Sequence, residues 1–132
     1  MKTTILTLCD FAKEYNGQLS ITGTFNQIRS SVFPTEPLSF YLAMQFFLKE
    51  NVIGEHFVTL TVKNNATGMD LLKPQELKLE VGASEVKDPQ EALITNLIFN
   101  LEKVSFQEPG SFNVKVVTDG NVQELDFYVV KV

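Results

Sequence analysis

An all-β fold, a two-sheet antiparallel β-sandwich of eight or nine strands, follows from three features of the 132-residue sequence. Apolar residues recur with period two along most of its length. Turn residues separate these runs at regular spacing, and no segment has a convincing 3.6-residue period. The length and the absence of any composition break predict one domain over residues 1–132.

Thr3 to Phe11 is apolar on both faces, with Ile5 and Cys9 against Leu6 and Leu8, so this strand is covered on both sides or lies between sheets. Asn16-Gly17 is a hairpin turn signal. Leu19, Ile21, Gly23 and Phe25 then alternate with polar residues, and mid-strand Gly23 marks a bulge or a close packing contact. Ser30 to Pro37, with Phe33-Pro34 and Glu36-Pro37, is an irregular crossing. Phe40, Leu42, Met44, Phe46 and Leu48 form the most apolar face in the chain, which places their strand centrally.

Asn51 to Glu55 is a turn, His56 to Asn64 a strand with Val58, Leu60 and Val62 inward, and residues 64–68 a loop. Met69 to Leu72 and Pro74 to Val81 read as two further strands. Gly82 to Gln90 is polar, contains Asp88-Pro89, and is expected to be the most mobile loop. Ala92 to Glu102 alternates again, and Val104 and Phe106 resume out of step, which implies a bulge or corner near Lys103.

The last quarter closes the chain with a hairpin around Asp119-Gly120, a dipeptide favoured where both turn residues need positive φ. With these two as the loop, Thr118 faces Asn121, and Phe112, Val114 and Val116 face Phe127, Leu125 and Gln123 on one side. On the other side Lys115 meets Glu124 and Asn113 meets Asp126. Turn chemistry, apolar face and charge pairing agree on one register.

Composition bounds function. The 11 Phe and 44% hydrophobic content supply a core without metal or disulfide. Cys9 is the single cysteine, which favours a reducing compartment. A net charge of −5 opposes non-specific binding to nucleic acid or anionic membranes, and a single arginine, Arg29, cannot form a phosphate-binding patch. The N-terminal apolar run is broken by threonines and stopped by Asp10, unlike a signal peptide, so a cytoplasmic location is expected.

No catalytic, cofactor-binding or metal-binding set emerges. His56 is the sole imidazole, and an enzyme using Cys9 with His56 as base is the weaker alternative to a buried, inert cysteine. Asp10, Asp70, Asp88, Asp119 and Asp126 are scattered singly, so a calcium-binding or small-ligand sandwich is a second alternative without a motif behind it. Interaction is the better-supported class. If the final hairpin and the Phe40 strand share a sheet, Tyr41, Ala43 and Phe47 join Val117, Val122, Tyr128 and Val130 on one outward face. The candidate surface is Tyr41, Phe47, Val117, Tyr128 and Val130, for a protein partner or a homodimer. The competing expectation is that a loop, or the Ala92 strand, covers these residues as a second small core.

Two resemblances add to this reading. Residues 96–104, Pro109-Gly110-Ser111-Phe112 and Asp119-Gly120 resemble the E-to-G region of an immunoglobulin-like domain, with Phe112 in place of the corner tyrosine and without its cysteine pair or tryptophan. More of the chain is similar to a family of small bacterial proteins of unknown function. The similarity is carried by Leu8-Cys9-Asp10-Phe11-Ala12, residues 16–25, Ile28, Phe33-Pro34, Glu108-Pro109-Gly110 and Asp119-Gly120. That resemblance implies a bacterial, cytoplasmic β-sandwich and supplies no catalytic residues.

Overall fold

The alternating runs become nine strands among the described residues: β1 (Lys2–Tyr15), β2 (Gln18–Phe25), β3 (Gln27–Ser30), β4 (Leu38–Leu48), β5 (Gly54–Asn64), β6 (Asp70–Val81), β7 (Leu93–Val104), β8 (Gly110–Thr118) and β9 (Asn121–Lys131). A computed structural model describes residues 1–49, 53–82 and 93–132. Most of the predicted mobile loop and part of the Asn51–Glu55 turn lie outside these residues. One sheet has the order β2-β1-β4-β7 and the other β3-β9-β8-β5-β6.

The second sheet is mixed, which corrects the expectation of a purely antiparallel sandwich. β3 runs parallel to β9, with Gln27 beside Tyr128 and Arg29 beside Val130. The cause is a change of sheet at Asn26, where the chain leaves β2 and enters the opposite layer. The Asn26 carbonyl accepts a 2.8 Å hydrogen bond from Tyr128 N–H, which anchors the switch. Strand boundaries also differ from the sequence reading. Residues 70–81 belong to one strand, because β6 is an edge strand, where a proline such as Pro74 is tolerated.

The β8–β9 hairpin has the predicted register, from Thr118 opposite Asn121 to Phe112 opposite Phe127. Asp119 and Gly120 take φ of 30° and 83°, and Asn16 and Gly17 take 51° and 76° in the first hairpin. The corner expected near Lys103 is present as a φ of 52°, and β4 shifts register opposite it, between Leu38 and Phe40.

The core lies between the sheets. Leu8, Leu42, Met44 and Phe46 from the first sheet meet Val58, Leu60, Val62, Val114, Val116, Phe127 and Val129 from the second. Phe106 closes one end against Phe112 and Phe127, whose rings stack at 5.3 Å. Phe106 is tied to the irregular crossing by a reciprocal pair: Thr35 N–H donates to its carbonyl at 2.9 Å, and its own N–H donates to Thr35 Oγ1 at 3.0 Å.

A second, smaller core sits on the outer side of the four-stranded sheet. Cys9, Ala12 and Ala43 are buried there, with Leu19, Ile21, Tyr41 and Ile98 packed around them. The β1–β2 hairpin covers this side, and its tip reaches β7, where Asn96 Nδ2 donates to the Gly17 carbonyl at 3.1 Å. This explains why β1 is apolar on both faces: Leu6 and Leu8 face the main core, while Cys9 faces the cover.

Candidate functional site

The two sheets differ in what their outer sides present. On the four-stranded sheet the hairpin leaves Tyr41 half-buried, in edge-to-face contact with Phe11 at 5.8 Å. A chain of side-chain hydrogen bonds runs beside it: Thr4 Oγ1 to Gln45 Oε1 (3.1 Å), Gln45 Nε2 to Asn96 Oδ1 (3.1 Å), and Asn96 Nδ2 to the Gly17 carbonyl. Phe47 lies toward the far end, opposite the exposed Ile94.

The candidate surface read from the sequence therefore does not exist as one patch. Tyr41 and Phe47 stand on β4, which pairs with β1 and β7, whereas Val117, Tyr128 and Val130 stand on β8 and β9 in the other sheet. Alternation assigns side chains to a face of their own strand; it carries no information about which strand lies alongside. The expectation of a second small core holds for Tyr41 and Ala43, and the cover is the β1–β2 hairpin rather than β7.

The outer side of the five-stranded sheet carries a mixed-charge band between two apolar ends. At the end near the Asp119-Gly120 turn stand Phe57, Val117 and Val122; Phe57 and Val122 are 44% and 54% exposed. At the other end stand Tyr128, 44% exposed, and Val130. Val122 and Tyr128 are six positions apart on β9, about 20 Å along the strand. Between them lies a shallow depression of about 420 Å³ lined by Thr59, Thr61, Lys63, Asn113, Lys115 and Glu124. Asp126 Oδ1 there accepts from Asn113 Nδ2 at 3.0 Å and from Asn65 Nδ2 at 3.4 Å, and Asn65 also donates to Ser111 Oγ at 2.6 Å.

Cys9 and His56 are not brought together. Cys9 is fully buried in the small core of the four-stranded sheet, with no imidazole in its cluster, and burial pushes its thiol pKa up. His56 is on β5 in the other sheet, where its Nδ1 lies 3.1 Å from Asp119 Oδ2. The sequence reading assigned Asp119 to its turn alone and missed this pairing. Nothing local signals it, because 63 residues separate the partners. Among the described residues, no three His, Cys, Asp or Glu side chains gather as a metal site. Asp88 lies outside the described residues.

In fold, the chain is similar to parts of β-glucosidase from Listeria innocua. The enzyme's complex with glucose aligns with a TM-score of 0.50 and 12% identity, over 97% of this chain and 15% of that one. A mutant in complex with laminaribiose aligns with a TM-score of 0.51 and 13% identity, over 98% and 15%. The chain thus spans about 15% of the length of these enzymes, and at this identity the likeness is one of fold alone. No curated protein is similar to it in sequence. Residues 4–130 match the family of unknown function DUF6941, and the chain belongs to that family.

Proposed function

We propose that the chain is a non-catalytic, immunoglobulin-like interaction module that pairs with a second copy of itself through the outer side of its five-stranded sheet. One observation carries this reading: the outer side of the four-stranded sheet has its own hairpin cover, while the five-stranded sheet has no such cover among the described residues. The uncovered side exposes Phe57, Val122 and Tyr128. Aromatic and aliphatic side chains beside a polar band are what interface cores are built from.

Charge favours a second copy as partner. The register puts Arg29, Lys63, Lys78 and Lys115 on this side, against Glu55, Asp70, Glu76, Glu80, Glu124 and Asp126, with Lys63 ion-paired to Asp70. Four cations against six anions give this side −2, while the whole chain carries −5. Cations and anions interleave on this side, so a two-fold pairing lets each sign meet its opposite. The strand order, with β3 joining β9 in the sheet that holds the final hairpin, supports the immunoglobulin-like description. The single buried cysteine, free of any disulfide, supports a reducing compartment such as the cytoplasm as its setting.

Sedimentation across a dilution series tests the proposal. A mass near twice 14.8 kDa is expected, falling to 14.8 kDa when Val122 and Tyr128 are both replaced by Arg. A wild-type chain that stays at 14.8 kDa at every concentration, or an Arg variant of unchanged mass, would overturn it.

A further inference from the structure

The motif residues Asp10 and Gly23 meet at a place the interaction surface does not use. Gly23 has a φ of 69°, and the Asp10 side chain lies directly over its Cα, so a methyl group added to Gly23 would fall on the carboxylate. The crowding is possible only because residue 23 has no Cβ. Beside this contact is a cleft of about 330 Å³, at the seam where the chain passes from β2 to β3. That volume is enough for a small organic ligand.

The cleft is polarised. Its inner wall is Phe40, 4% exposed, in edge-to-face contact with Phe25 at 5.6 Å, flanked by Ile28 and Leu38. Asp10, an exposed residue, is the only charged one among the lining residues. Two other polar side chains on the rim are already engaged: Ser39 Oγ accepts from Lys103 N–H at 3.2 Å, and Gln27 Oε1 accepts from Arg29 Nε at 3.0 Å. Among the described residues, no hydrogen-bond donor or cation engages the Asp10 carboxylate.

We infer that this cleft binds a small primary amine. The protonated head pairs with the Asp10 carboxylate at the mouth, and an apolar body lies on Phe25, Ile28, Leu38 and Phe40. A charge-assisted hydrogen bond to an otherwise unpartnered carboxylate supplies orientation, and the aromatic wall supplies apolar burial together with attraction for a cation. One carboxylate without converging oxygens is a poor seat for calcium, which needs six or more oxygen ligands. An organic cation needs one anion and a hydrophobic wall, and the cleft offers both.

The test uses phenethylamine, protonated at neutral pH, and 2-phenylethanol as its neutral counterpart, with binding read from the amide resonances of Phe25, Ile28 and Leu38. Saturable shifts with the amine are expected, with the alcohol and the Asp10→Asn variant each binding about tenfold more weakly. Gly23→Ala retains the charge but displaces the carboxylate, and weakens the amine in the same direction. The native spectrum of each variant checks folding, and exposed Asp10 tolerates the amide. Equal binding of alcohol and amine, undiminished amine binding by Asp10→Asn, or no saturable shift at these residues would overturn the inference.

Discussion

Asn96 and Gly17 are 79 residues apart in the chain and joined by a 3.1 Å hydrogen bond that holds the tip of the first hairpin against the far edge of its own sheet. The bond ends a relay that begins at Thr4 and passes through Gln45. It fastens the cover that buries Cys9, Ala12 and Ala43 on the outer side of that sheet. Replacing Asn96 by Ala is expected to cost about 1 kcal/mol, the usual worth of such a bond. The larger effect is local: amide exchange at Leu19 and Ile21 rises before global unfolding. Thermal melting and native-state hydrogen exchange measure both, and unchanged exchange in β2 would remove the latch role.

Cys9 reports on the same cover. Its thiol is fully buried and its pKa is raised above the ordinary 9.0, first by burial and then by the neighbouring Asp10 charge. In the unfolded chain the thiol ionises near 9.0, while in the folded chain it remains protonated, so the folded state holds the extra proton. Stability is therefore full below that value and declines as pH rises through it. Cys9→Ala abolishes this alkaline decline, as a pair of melting series between pH 7 and 10 would show. Thiol labelling at neutral pH is slow in the wild type and faster in Asn96→Ala.

Thr35 is buried, with 5% exposure, and its hydroxyl accepts the Phe106 N–H. Thr35→Val keeps the shape and removes the acceptor, leaving a buried donor unsatisfied at a cost of about 1–3 kcal/mol. Chemical denaturation should show the midpoint falling at constant slope. Phe106→Ala goes further, by about 3–5 kcal/mol, because it empties the end of the core where Phe112 and Phe127 stack.

The outer edges of the two sheets are protected unequally. Edge strand β6 carries Lys73, Pro74 and Lys78, whereas edge strand β7 has no charge and no proline from Leu93 to Leu101. Uncharged edges template pairing with other chains. Asn100 is exposed on β7, so Asn100→Lys is expected to leave the stability within about 0.5 kcal/mol of the wild type while reducing aggregation on heating. Light scattering during a thermal ramp gives the comparison, and equal aggregation by both proteins would place the vulnerable segment elsewhere.

Much of the fold is legible because it is local. Asp119-Gly120 sets the φ values of its turn, the turn sets the register, and the register brings Phe112 to Phe127. Glycine at position 23 signalled a close contact, and the contact is with the Asp10 carboxylate. The candidate surface was less legible. Tyr41 and Tyr128 have the same outward parity on strands of similar character, yet they lie in different sheets, and the covering hairpin consumes one of them.

The sequence by itself determined the all-β class, most strand positions, both hairpin turns, the register of β8 with β9, and which side of each strand is apolar. Each of these depends on a period of two residues or on the φ preference of a turn dipeptide, and both act within a few residues. Only the tertiary structure decided that β4 and the final hairpin part company, that β3 joins β9 in parallel, that the first hairpin covers its own sheet, and that Asp10 faces a cleft. These choices depend on pairings between segments far apart in the chain. Several strands offer nearly equivalent apolar faces, so only the packing of the whole core selects among them.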